Sequence, residues 1–209
     1  MVDNEILYSC GKEGVFSVED GVSKSLLAIP GWLAEGLCAT STGELLVCVF
    51  NKSSKEVKII RCDMSRMKGE LIITQEIQFN RDKPLFHFGK FEHFVAENKN
   101  GDVCVSDANA VAVIVVDKAG KFRFKSQGTV IIYKKMFLPD QITTDVECNI
   151  IVSDYMNNCL HILDQNGSYL KCVDNCGLDF PIPLDTDENG DLLVGVYLTG
   201  QIKVIRYRK

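Results

Sequence analysis

Between Gln141 and Lys171 the apolar residues come in short runs of about five, each broken by a polar turn after Asp145, Asp154 or Asp164. The pattern predicts four strands, Ile142 to Asp145, Ile150 to Asp154, Leu160 to Asp164 and one from Tyr169 onward, joined as an antiparallel meander. A lone meander of this size cannot bury both faces. Copies stacked around an axis can, so recurrence decides the architecture.

The second strand with its preceding turn recurs as GELLVCV (Gly43 to Val49), GDVCVSD (Gly101 to Asp107), CNIIVSD (Cys148 to Asp154) and GDLLVGV (Gly190 to Val196), with a weaker copy, ILYSC, ending at Cys10. Their last residues are 39, 58, 47 and 42 apart. A four-stranded propeller blade takes roughly 40–50 residues, with the long interval absorbed by a loop. The remaining apolar runs fill in the blades. Ile6 to Ile29 supplies three strands, and the next unit supplies Leu37 to Thr40, Glu44 to Phe50, Glu56 to Cys62 and Leu71 to Ile77. Asn80 to Phe91 reads as a polar and aromatic connection. The following blade runs through His93 to Glu97, Val103 to Asp107, Val111 to Asp117 and Lys121 to Lys125, and the last segment supplies Pro183 to Asp187, Leu192 to Val196 and Gln201 to Tyr207. The expected fold is all-β: one propeller fragment over 1–209, with blades at 1–30 (partial), 31–80, 90–128, 139–175 and 181–209 (partial). An arc that does not close leaves strand edges in water, so either the blades close as an imperfect five-bladed ring or, the preferred reading, further strands lie upstream.

Composition fits a folded chain with a sizeable core, 46% hydrophobic and 24% charged. Its longest apolar run, Ala110 to Val116, is far below the roughly 18 residues a membrane helix needs, and the acidic start MVDNE is unlike a secretory leader. Nine cysteines lie mostly inside strand patterns, among them Cys38, Cys48, Cys62, Cys104, Cys148, Cys159 and Cys172. Buried reduced thiols in a cytoplasmic protein are the expectation. With no CxxC, and with His87, His93 and His161 dispersed, no metal site and no cofactor are expected.

The phrases ITTDVECNIIVSD and, in degenerate form, PLDTDENGDLLVGV resemble the NHL repeat. The succession ENKNGDVCVSDANAVAVIVVDKAGKFRFKSQG, NNCLHILDQNGSYLKCVDNC and GQIKVIRYRK is similar to the C-terminal propellers of invertebrate tripartite-motif (TRIM-NHL) proteins. The resemblance covers nearly the whole chain and implies an NHL-type β-propeller, about four and a half blades of a six-bladed ring. It further implies a non-enzymatic recognition module, the target-binding part of a ubiquitin-ligase-like protein. Ligase activity would reside in a RING domain, which with a B-box and coiled coil is expected upstream in a full-length relative.

Propellers bind through the loops between second and third strands and those between blades. Candidates there are Trp32, Asn51, Lys52, Lys55, Tyr155, Asn157, Asn158 and Tyr197, with tight-turn building as the competing role for the asparagines. Single-stranded RNA is an alternative ligand. Lys121, Arg123, Lys125, Lys134 and Lys135 lie in a stretch without acidic residues, interleaved with Phe122, Phe124 and Tyr133. Against it, KFRFK alternates as an outer strand should, lysines guard sheet edges, and the net charge is -5. A calcium-dependent, lactonase-like hydrolase is a third reading, through Asp107, Asp117, Asp145, Asp154, Asp164 and Asp187. Their recurrence at strand ends marks them instead as turn caps.

Overall fold

The computed structural model describes residues 6–11, 14–64, 70–128 and 135–208, and every regular element among them is a strand. The chain divides into two compact units, Met1–Lys90 and Phe91–Lys209. The first contains a three-stranded sheet of β1 (Ile6–Tyr8), β2 (Gly14–Glu19) and β3 (Val22–Ala28), and a four-stranded sheet of β4 (Leu33–Ala39), β5 (Glu44–Asn51), β6 (Glu56–Asp63) and β7 (Ile72–Ile77). The small hairpin β8 (Phe79–Asn80) and β9 (Lys83–Pro84) falls where the sequence pattern predicts plain connection. The second unit contains three sheets: β10 (His93–Glu97) to β13 (Phe122–Ser126) through β11 (Val103–Asp107) and β12 (Ala112–Val116); β14 (Pro139–Thr144) to β17 (Tyr169–Val173) through β15 (Ile150–Asp154) and β16 (Cys159–Leu163); and β18 (Pro181–Thr186), β19 (Leu192–Val196) and β20 (Gln201–Ile205). Every sheet is an antiparallel meander in chain order.

Middle strands β11, β12, β15 and β16 are buried along their whole length, which is why their sequences are continuously apolar. In the second unit one apolar layer joins Ala96, Cys104, Val113 and Val115 to Ile142, Ile150, Val152 and Leu163, and the next joins Ile151, Leu160 and Ile162 to Leu184, Leu192, Val194 and Ile205. In the first unit Val15, Leu26 and Leu27 meet Leu45, Val47, Val49 and Ile60 in the same way. Fully burying one such side chain is worth roughly 1.5–3 kcal/mol. The layers between sheets therefore hold each stack together.

Three inner strands begin earlier than their apolar pattern predicts. Register shifts between Ala34 and Leu37, Pro139 and Ile142, and Pro181 and Leu184 place a bulge near the start of β4, β14 and β18. A bulge breaks the two-residue alternation, so the apolar pattern becomes readable only beyond it. The blade repeat also extends to the backbone. Lys55, Val111, Asn158 and Gly200, each directly ahead of a third strand, hold positive φ of 58°, 54°, 56° and 66°.

Candidate functional site

Each blade has two kinds of turn, at opposite ends. At one end, Asp145, Asp164 and Asp187 each use Oδ1 to accept the backbone N–H groups two and four residues on, at 2.8–2.9 Å, and Asp117 does so at 3.0 and 2.9 Å. These carboxylates are the hairpin turns themselves. Asp145 also accepts the Tyr207 hydroxyl at 2.5 Å. Burial would raise its pKa, but the hydrogen bonds from Tyr207, Asn149 and Glu147 outweigh that and lower it.

At the other end lie the turns between second and third strands, and two of those in the second unit, 155–158 and 197–200, are joined through Phe180. Asp154, buried at the end of β15, accepts the Leu138 N–H and the Asn157 N–H at 3.3 Å through Oδ1, and the Asn157 side-chain amide at 2.8 Å through Oδ2. The Asn157 amide also points at the Lys135 and Met136 carbonyls, at 3.4 Å each. Asn158 accepts the Phe180 N–H at 3.1 Å, the Tyr155 ring lies 4.7 Å from the Phe180 ring, and the Tyr197 N–H donates to the Phe180 carbonyl at 3.2 Å. The asparagines thus build the turns, and the turns tie three chain segments together. On this framework Met136, Met156, Tyr197 and Leu198 are exposed, the last two at 65% and 64%.

The same end carries a carboxylate pair that the sequence pattern does not mark. Asp140 sits inside the β14 bulge, one residue past Pro139, which pairs with Asp154. Glu92 precedes His93, which pairs with Asp107. Burial first, and then the charge of Glu92, push Asp140 up to about 6, against hydrogen bonds from Gln141.

In the first unit, Asn51 closes its turn by accepting the Ser53 and Ser54 N–H groups at 2.8 and 3.0 Å. Lys52 is exposed with its ammonium 5.8 Å from the Phe50 ring, and Lys55 is exposed at its left-handed position. Trp32 is half-buried against the core under the Lys58 ammonium, 4.2 Å from its ring.

The basic residues divide. Arg123 pairs with Asp102 of its own sheet and donates to the Gln165 carbonyl and Asn166 Oδ1 at 3.2 Å, bracing the β16–β17 turn. Lys121, Lys125 and Lys135 are exposed, and Lys134 lies outside the described residues. Phe124 packs in the layer between the sheets.

Folding also gathers Cys159, His161 and Cys172, whose ligating atoms lie within 4.8 Å of one another. Cys172 lies 11 residues beyond His161 in the chain and on a different strand. The signal for them is a Cys-x-His on a strand whose neighbour carries a cysteine in register, which becomes visible once the pairing is known.

No protein-family model and no curated protein matches the chain. Solved structures do. Virginiamycin B lyase from Staphylococcus aureus superposes with TM-score 0.66 at 12% identity, over 100% of this chain and 68% of that one. Regucalcin, a calcium-binding protein from Agrobacterium tumefaciens, gives 0.64 at 15%, over 93% and 65%. A chain of a nidogen/laminin complex gives 0.57 at 13%, over 96% and 88%. The fold is that of a β-propeller. This chain spans about two thirds of the length of the lyase and regucalcin chains.

Proposed function

We propose that this chain is a recognition propeller that holds a protein partner on the loop end of its second unit, in the manner that its resemblance to TRIM-NHL propellers implies. The observation that carries the reading is the exposed set Met136, Met156, Tyr197 and Leu198, mounted on turns cross-braced through Asn157, Asn158 and Phe180. An aromatic side chain on a braced framework loses little entropy on binding, and aromatic and methionine side chains are enriched at the cores of protein interfaces. Asp154, at the base of the Asn157 turn, is occupied as a turn cap. A similar fold in a nidogen/laminin complex supports a binding role for such a scaffold.

A second reading, a small-molecule lyase or hydrolase, draws on the Asp140 and Glu92 pair and on the lyase-type neighbours. A carboxyl with a pKa near 6 suits general acid–base work near neutral pH. An RNA-binding reading keeps Lys121, Lys125 and Lys135, while Arg123 is engaged in bracing.

The test compares the wild-type protein with Tyr197→Asp/Leu198→Asp and with Asp140→Asn as bait for proteins of the source cells, alongside turnover of a lactone panel. Expected is a reproducible partner retained by wild type and by Asp140→Asn and lost in the double variant, with melting temperature unchanged. Retention unaffected by the double variant, or lactone turnover lost in Asp140→Asn, would overturn the recognition reading.

A further inference from the structure

We infer that Cys159, His161 and Cys172 form a binding site for a thiophilic divalent cation, with zinc as the natural occupant. Cys159 and His161 are two residues apart on β16 and so face the same side of the sheet. Cys172 on β17 is the cross-strand partner of His161. This places two sulfurs and one imidazole nitrogen at the corners of a triangle no more than 4.8 Å on any side. Zinc with bonds of about 2.3 Å to sulfur and 2.0–2.1 Å to nitrogen holds tetrahedral neighbours about 3.5–3.8 Å apart. Small χ1 adjustments close that difference.

The same register argues against a disulfide. Cys172 stands opposite His161, so Cys159 is its diagonal neighbour. Diagonal pairs have Cα atoms roughly 7–8 Å apart, beyond the approximately 4.4–6.8 Å that a disulfide spans. A metal ion bridges what a sulfur–sulfur bond cannot.

The imidazole is already held at one of its nitrogens. His161 Nε2 lies 3.2 Å from Asp154 Oδ2, a buried contact, and Asp154 is itself held by Asn157 and the Leu138 N–H. A carboxylate accepting Nε2–H leaves the lone pair on Nδ1, the usual outer support of a metal-bound histidine. Phe137 and Tyr169 meet the ring edge-on, with centroids at 5.0 and 6.2 Å, and fix its plane. Cys159 and His161 are fully buried, whereas Cys172 is half-buried and gives an ion its way in and a water its fourth position. The preceding sheet has a similar buried pair, His93 and Asp107 at 3.5 Å, yet among the described residues two thiols join a histidine only at His161. Binding would release both thiol protons to solvent, so affinity rises with pH.

The experiment adds cobalt(II), a spectroscopic stand-in for zinc, to the full reduced protein. Expected is a one-to-one complex with thiolate-to-cobalt charge-transfer absorption and tetrahedral visible bands, displaced by one equivalent of zinc. Cys172→Ala, at the half-buried position, should lose at least about a hundredfold in cobalt affinity; Asp154→Asn should keep the spectrum but bind at least about tenfold more weakly. Cys38→Ala should bind as wild type. Folding of the variants is checked by circular dichroism, and Cys159→Ser serves as a second ligand variant. A folded wild type without charge-transfer absorption overturns the inference, as does a spectrum that survives in both ligand variants.

Discussion

At the scale of single residues, the second unit treats its carboxylates in opposite ways. Asp145 is ringed by donors, the Tyr207 hydroxyl and the Asn149 side chain among them, and its pKa falls. Asp140 is half-buried near another carboxylate, and its pKa rises to about 6. An acid with a raised folded pKa binds its proton more tightly folded than unfolded, so stability declines as pH climbs from the unfolded value, about 3.9, to the folded one. Above about 6 the penalty is complete and constant. Asp140→Asn carries no such charge and keeps an acceptor for the Gln141 amide. It should match wild type near pH 4 and exceed it by about 1–2 kcal/mol at pH 7. Melting curves across that range check this, and a gap that is flat with pH would mean that the Asp140 pKa does not differ between the folded and unfolded chain.

At the scale of elements, turns and bulges set the blade geometry, and the glycines there differ in what they face. Gly167 has φ +85°, and a Cβ on it would meet Phe124 Cε2 at 2.5 Å, so the β16–β17 turn seats a ring from the neighbouring sheet. Gly101 has nearly the same φ, +83°, but its Cβ would meet only Lys118 at 3.6 Å. Gly101→Ala should cost about 1 kcal/mol, the backbone strain alone. Gly167→Ala adds displacement of a packed ring, in total about 2–4 kcal/mol. Urea denaturation of the two variants measures the difference, and equal losses would show that Phe124 yields freely. The apolar runs predict these sheets strand for strand because middle strands buried on both faces are apolar without interruption. Bulges at Ala34, Pro139 and Pro181 and the Phe79–Pro84 hairpin escape such a reading, since each departs from the two-residue period that makes strands visible. Candidate site residues were legible to the same extent. Tyr155, Asn157, Asn158 and Tyr197 follow from turn position, whereas Met136, Phe180, Asp140 and the Cys159, His161 and Cys172 trio depend on pairing between distant segments.

At the scale of the whole molecule, a propeller sheet normally covers its apolar faces and edges with its neighbours, and the last sheet has an uncovered place. Strand β20 pairs with β19 along one side, and no strand lies along its other side among the described residues. Ile202 and Val204, on the same face of β20, are 72% and 60% exposed, while Lys203 between them points the other way, to the Cys176 and Gly177 carbonyls at 2.6 and 2.7 Å. An unpaired edge strand with an apolar face invites pairing with a second molecule. Most natural edges interrupt such a surface with a charge or a bulge; here the one charge is turned inward. Ile202→Lys/Val204→Thr should therefore reduce concentration-dependent association in sedimentation velocity while shifting stability by no more than about 0.5 kcal/mol, as expected for exposed positions. If association is unchanged, the contact lies elsewhere. A marked fall in melting temperature would instead mean that another part of the molecule already packs on Ile202 and Val204 in solution.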